Sequence, residues 1–455
     1  MMRYHGRKHA RSGERGVTMI IVVIAMLSML ALVALAIDVI TLYAARSEAQ
    51  RAADGAALAA AKMLVDAGVT ADPANAALQT TAQGFATTIA QNVAQQAAIS
   101  GQQVQAANVS VAFGAANFGI NPTVTVTVQS GNLPTFFSRI WSRAALTVGA
   151  SATAEAFNPS NSSTVTAGVG VPIVARCVKP FLLPNCDPVN TNNPGSNCGA
   201  AVPRFFDPTT GAIINPGQTP TGLIGESFNL SSNCGAGPGC VPGPPVVSAP
   251  AVFSYYPAQM PAAASGNACP AACGGGTNFE NDIECCNPSP ISCGTAVTPP
   301  VVNTLAPDLT VFPDGGGGPA ETGVKCLIHQ DTGATGQDIL NDNVAGPLNY
   351  PIEIQAGADH PLSGVLGGSY VTTSDSLITV PVYEPPVGGA APGGSVNIIG
   401  FLQLFINQSF PGGGGPKAGS FTATVVNVSG CGSNATGTPV YTGSSSAVPV
   451  RLIHQ

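Results

Sequence analysis

Residues 17–37, VTMIIVVIAMLSMLALVALAI, form a run of 21 residues without a charge. At helical rise it extends about 31 Å, the thickness of a hydrocarbon core of about 30 Å. The pattern predicts a membrane-spanning helix. A cleavable secretory signal has an apolar core of about 7–15 residues followed by a small-residue cleavage site. The present run is longer and leads without a turn residue into more helix-forming sequence, so a retained anchor is expected. Residues 38–66, DVITLYAARSEAQRAADGAALAAAKMLVD, lack proline and are rich in good helix formers. They predict a stalk helix continuous with the span. On a helical wheel Ala45, Ala49, Ala53, Ala56 and Ala60 share one stripe, while Glu48, Arg51, Asp54 and Lys62 gather opposite at ion-pair spacings. The alanine stripe permits close approach of another element. It could pack on the chain's own downstream domain, on a partner's helix or on a second copy.

Beyond the stalk, residues 73–100 read as a second helix with a Gln and Thr face. Alternating segments at 108–113, 123–128 and 146–154 predict strands, with an amphipathic helical turn at 133–141 between the last two. Phe136, Phe137 and Trp141 at that spacing are expected to be core. Composition shifts at 157–168, NPSNSSTVTAGV, as in a linker. Thereafter Pro and Gly recur, helical periodicity disappears, and strands are expected at 171–175, 376–383, 396–407 and 420–428, with turn-forming glycine runs at 315–318 and 412–415. The expected class is α+β. The expected order is a basic tail (1–16), a transmembrane helix (17–37), a stalk helix (38–66), a small α+β domain (67–160) and a loop-rich, disulfide-bonded β region (161–455).

Composition sharpens this picture. Only 9% of residues are charged, against about 25% in an average soluble domain. The net charge is −7, yet the first sixteen residues hold Arg3, Arg7, Lys8, Arg11 and Arg15 against Glu14, so the remainder is more acidic still. Nucleic-acid binding, which needs clustered cations, is excluded. The basic block before the span, against Arg46 and Arg51 offset by Asp38, Glu48 and Asp54 after it, predicts a cytoplasmic amino terminus.

The segment GERGVTMIIVVIAMLSMLALVALAIDVITLYAARSEAQRAADGAALAAA carries a specific pattern: Gly16 before the span, Asp38 closing it, then Tyr43, Arg46, Gln50, the Ala52-Ala53-Asp54 step and the run 56–61. It resembles the amino-terminal segment of TadG-like proteins of the Tad (tight adherence, Flp pilus) assembly system of bacteria. The resemblance is firm over about 50 residues and looser over the next hundred. It implies a bacterial inner-membrane protein with pilus assembly proteins as partners. Prepilins with this layout carry Glu five residues after the cleaved Gly, where Ile21 stands, so processing at Gly16 is not expected. Larger members that resemble this chain often carry a von Willebrand A-type domain, whose metal site needs Asp-x-Ser-x-Ser. Here the nearest approach, Thr373-Ser374-Asp375-Ser376-Leu377, lacks the spacing.

All twelve cysteines follow residue 176: Cys177, Cys186, Cys198, Cys234, Cys240, Cys269, Cys273, Cys285, Cys286, Cys293, Cys326 and Cys431. An even count confined to the portion beyond the anchor predicts disulfides in an oxidising compartment. The adjacent Cys285 and Cys286 are expected to take different partners. Zinc held by Cys269 and Cys273 with Cys285, Cys286 or Cys293 is the weaker alternative, because only one pair has knuckle spacing. Glu280, Asp282 and Glu284, and Asp331, Asp338 and Asp342, lack the spacing of a calcium loop and read as solvated loop carboxylates. The five histidines are His5, His9, His329, His360 and His454, and no G-x-S-x-G, H-E-x-x-H or phosphate-loop pattern occurs. His329 beside Cys326 and Asp331 is the one grouping with nucleophilic potential. The expectation is a non-enzymatic protein without cofactors or metal, with the lipid bilayer as partner. A membrane-tethered adhesin or envelope-binding module is the alternative function.

Overall fold

The computed structural model describes residues 14–114, 121–133, 146–161, 169–188, 198, 203–216, 222–234, 247–248, 252–262, 266, 269, 273, 276–295, 297, 301–313, 318–330, 336–341, 353–362, 364–386, 391–409, 419–443 and 446–453. The expected helical turn and its aromatics at 134–141, both glycine runs save Gly318, Cys240, Asp331, Asp342 and the histidines at 5, 9 and 454 lie outside the described residues.

Span and stalk form one uninterrupted helix, α1, Glu14–Asp66. It ends where Gly68 adopts a φ of 76°. There the Gly68 amide donates to the Val65 carbonyl and the Val69 amide to the Leu64 carbonyl, a Schellman closure that only a residue at ease with positive φ completes cheaply. Helix α2, Ala76–Gln95, begins after Pro73 with Asn75 capping the Leu78 amide. It is shorter than the expected 73–100. Ser100 and Gly101 both take positive φ, folding 98–99 and 102–103 into a two-residue hairpin where helix was expected. The buried positions of α2, Leu78, Ala82, Ala86, Ile89, Ala90 and Ala94, fall at i, i+4 spacing and face α1.

Strands β1 (Val109–Phe113), β2 (Thr123–Leu133) and β3 (Leu146–Ala156) form an antiparallel sheet. In β2, Val124, Val126 and Val128 are buried, and Thr125 and Thr127 turn outward to pair with Thr153 and Ser151. The valine and alanine face of β2 and β3 receives α1.

The larger portion is built on strands β4 (Phe181–Pro184), β5 (Ser227–Ser232), β6 (Val252–Pro257), β7 (Leu377–Tyr383), β8 (Val396–Ser409) and β9 (Phe421–Gly430). Their order is β8-β7-β4-β6-β5-β9, and because β9 also pairs with β8 the ladder closes into a six-stranded barrel. Successive residues enter different cores. Phe181, Leu183, Tyr255, Val380 and Val382 join the large core that continues to α1. Leu182, Tyr256, Tyr383, Ile398 and Phe401 join a second core under a small sheet of Ile173–Ala175, Ile291–Ser292 and Val440–Tyr441. A strand buried on both faces shows no polar alternation. That is why β4 and β6 escaped the hydrophobic pattern, whereas β5 alternates only over Ser227, Phe228, Asn229 and Leu230, too short a run to stand out.

The segments before and after residue 160 touch at several places. The last described strand, β10 (Val450–Ile453), returns to the β1–β3 sheet and pairs with β3, with Leu452 opposite Ala154 and the Arg451 guanidinium 2.9 Å from the Glu155 carboxylate. The end of α1 is tied to the barrel by buried polar groups. Asn427 donates to the Val65 carbonyl at 2.6 Å and to the Thr70 hydroxyl at 2.7 Å. Asn158 donates to the Val428 carbonyl at 2.9 Å, and Ser429 donates to the Asn158 side chain. Gln403 donates to Asp66, which also pairs with Lys62. Groups so buried cost free energy unless paired, so these bonds fix one relative placement of helix and barrel.

Disulfides join Cys177–Cys286, Cys186–Cys198, Cys269–Cys285, Cys273–Cys326 and Cys293–Cys431, and Cys234 is also disulfide-bonded. Adjacent Cys285 and Cys286 do take different partners. Two bridges close separations of 109 and 138 residues, the class for which chain-entropy arguments give about 4–5 kcal/mol. A non-reduced digest analysed by mass spectrometry is expected to return peptides joined as Cys177–Cys286 and Cys269–Cys285; a vicinal Cys285–Cys286 bridge would contradict this arrangement.

Candidate functional site

The feature with no counterpart in a soluble domain is the first half of α1. Its most apolar 18-residue window is only 6% buried, and large side chains point outward all around it, from Val17 at 58% exposure through Leu30 at 64% to Leu35 at 54%. A helix apolar on every side and left uncovered over most of its length is matched to lipid. It is the membrane-spanning helix of the protein.

From Ala34 onward the two sides of α1 differ. Ala34, Asp38, Ala45 and Ala49 are buried on one side, whereas Ile40, Tyr43, Arg46, Ser47 and Arg51 stay exposed on the other. The alanine stripe, Ala45, Ala49, Ala53, Ala56 and Ala60, is at most 1% exposed and packs against β2, β3 and α2. The facing residues are also small: Ala150, Ala152 and Ala154 on β3, Ala86, Ala90 and Ala94 on α2. Small faces on both sides bring the backbones together, and the stripe is occupied by the chain itself. Of the occupants left open by the sequence, the chain's own sheet and α2 are the ones that cover these five alanines among the described residues.

The motif positions divide accordingly. The Gln50 amide donates to the Asp54 carboxylate at 2.7 Å and to the Ser151 carbonyl at 3.2 Å, clamping the stalk to β3. The Asp38 carbonyl accepts from the Thr41 hydroxyl, and its side chain is covered. Tyr43 and Arg46 face outward. Of the charged residues placed opposite the stripe, Glu48 accepts the Ser100 amide at 2.7 Å, Asp54 holds Gln50 and Lys62 pairs with Asp66.

Chemically active groups lie elsewhere. Both described histidines meet carboxylates that sequence reading did not pair with them. His329 Nε2 is 3.0 Å from Asp375, and His360 Nδ1 is 3.0 Å from Asp338, which also accepts the Gly357 amide. The His360 and Asp338 side chains are 1% and 4% exposed, so this pair is enclosed in the fold. Lys179 is buried and donates to the carbonyls of Ile283 and Cys285; burial pushes its amine down to about 8, against the charges of Asp375, Asp282 and Glu284. The hydrogen bond to Asp375 holds the His329 imidazole above its ordinary value despite partial burial. A surface cavity of about 580 Å³ between Met260, Phe279, Asp282, Leu305 and Asp308 holds neither histidine. Cys273, Cys326 and Glu284 lie within 4.8 Å of one another, but the two sulfurs are bonded to each other and offer no thiolate to a metal. The acidic run also proves structural: it lies on a short helix, α3 (Asn278–Glu284), where Glu280 completes a capping box with Thr277 and Asp282 accepts from Asn287.

Residues 16–63 match the Tad family model, TadE/G-like and associated with Flp pilus assembly. The matched segment spans the lipid-exposed helix and most of the stalk. No curated protein and no solved structure matches the chain.

Ala53→Leu is expected to lower unfolding free energy by about 1–3 kcal/mol through overpacking, whereas Ser47→Leu on the exposed side should change it by less than about 0.5 kcal/mol; guanidinium titration of the full chain in detergent compares them. A second expectation concerns pH. Because the folded state raises the His329 pKa, its stabilisation is fully present below the unfolded value of about 6.5 and is lost as pH rises through the higher folded value. Lys179, which also faces Asp375, loses its charge above about 8. Asp375→Asn should therefore lower the melting temperature clearly at about pH 5.5 and much less at about pH 9.

Proposed function

We propose that this chain is a non-enzymatic, membrane-anchored component of Tad/Flp-type pilus assembly, held in a bacterial inner membrane with its amino terminus in the cytoplasm and its disulfide-bonded body outside. The observation that carries the reading is a coincidence of extents. The family match at 16–63 covers the lipid-exposed rod and continues into the stalk that forms the centre of the body's core. The motif thus encodes an anchor and the seat of the domain built on it. The orientation is supported by the basic residues before the span and by the confinement of every cysteine to the far side. The non-enzymatic reading is supported by the enclosure of His360 and Asp338 and by the bonding of every described cysteine, which leaves those thiols without nucleophilic character.

A second reading, an envelope-binding module on a Tad-like anchor, is favoured by one observation: the barrel and its disulfides lie outside the matched segment. Deletion of the gene separates the two. Loss of surface pili, restored by the full chain, is the expected result; normal pilus number with impaired surface attachment would favour the binding module, and normal values of both would overturn the assembly role.

A further inference from the structure

We propose that the lipid-contacting surface of α1 runs past Asp38 to Tyr43 on one side of the helix, so that Arg46 lies at the phosphates of the far leaflet and the opposite, covered side of the helix is seated within that leaflet. Asp38 closes the uncharged run in the sequence, and a charge meeting lipid would end the span there. In the fold Asp38 never meets lipid, because it is 3% exposed on the side that the body covers. The uncovered side tells a different story. Val39 is 41% exposed, Ile40 66% and Tyr43 71%, continuing the apolar surface that begins at Val17. Between Arg15 and Arg46 the sequence holds no ionisable group on that side that would call for water before the Tyr43 phenol.

Length supports the same boundary. From Val17 to Tyr43 the helix rises about 40 Å, close to the full thickness of a bilayer with its headgroup layers, about 40–45 Å. Tyrosine is favoured at that interface, where ring and hydroxyl meet different media, and an arginine just beyond it reaches lipid phosphate. On the covered side Ala34 is already 6% exposed, below the level of Asp38 along the helix. Cover on that side therefore begins before the uncovered apolar surface ends. A helix with lipid on one flank and cover on the other at the same height seats that cover in the far leaflet, and at 1.5 Å per residue Ala34 lies about 13 Å below Tyr43, deeper than the headgroup layer alone.

The test uses the full chain reconstituted at one copy per lipid nanodisc, with single cysteines replacing Leu35, Ile40, Tyr43, Ser47 or Arg51. The described native cysteines are disulfide-bonded, so labelling by a charged, water-soluble maleimide is read against the unsubstituted chain. Ile40→Cys and Tyr43→Cys are expected to react at least about tenfold more slowly than Ser47→Cys and Arg51→Cys, in the manner of Leu35→Cys, because a thiol in lipid does not ionise. Equal reactivity at 40, 43 and 47 would overturn the proposal and return the boundary to Asp38. Spin labels at the same sites give an independent reading: 40 and 43 should be relaxed by dissolved oxygen, and 47 and 51 by a water-soluble nickel complex. The reverse at 43 would likewise overturn it. Neither measurement depends on pilus assembly.

Discussion

The close contact of small residues along α1 is the constraint on which the rest of the structure depends. Ala49, Ala53, Ala56 and Ala60 share one core with Ala150, Ala152 and Ala154 of β3 and with Ala86, Ala90 and Ala94 of α2, and α1 packs directly on both elements. The gain from each such residue is modest, since an alanine buries little area. What the arrangement supplies is proximity: the stalk backbone comes near enough to β3 for Gln50 to reach the Ser151 carbonyl. A helix that begins in lipid thereby ends as the central element of a globular core, and the anchor cannot move independently of the domain built around it.

The second half of the chain uses the same element differently. At the end of α1 the apolar stripe gives way to Asp66, Thr70 and the Val65 carbonyl, paired with Gln403 and Asn427 from the barrel. Apolar contacts tolerate sliding, whereas buried polar groups leave donors unsatisfied if displaced. The barrel is therefore positioned by hydrogen bonds where the β1–β3 sheet is positioned by packing. Strand β10 adds a third tie from the far end of the sequence.

The sequence made some of this legible and withheld the rest for identifiable reasons. The span, the stalk and the strands at 123–128 and 396–407 could be read because each shows its burial as periodicity. The alanine stripe was legible as a contact surface, but its occupant was not, because the complementary small residues lie about a hundred positions away on β3 and look like ordinary strand alanines. Lys62 was legible as a charge opposite the stripe but not as the partner of buried Asp66, and Asn158, Gln403 and Asn427 are indistinguishable in sequence from exposed loop or strand residues. The carboxylate partners of His329 and His360 come from 46 and 22 residues away, and only the fold brings them together. Strand β10 is too short to show alternation.

The distribution of charge and sulfur follows from the same architecture. A portion rich in glycine and proline gives up much chain entropy on folding and contains short strands of only 4 to 7 residues in β4, β5, β6 and β7. Closing those strands into a barrel removes the exposed edges that would otherwise pair with other chains. The bridges Cys177–Cys286 and Cys293–Cys431 then join segments far apart in sequence around that barrel. The part of the chain nearest the lipid carries no cysteine and requires none, because there the continuous helix, closed by its own backbone bonds, supplies the order that cross-links supply farther out. Anchor and body thus solve the same entropic problem by different means, and α1 is where the two solutions meet.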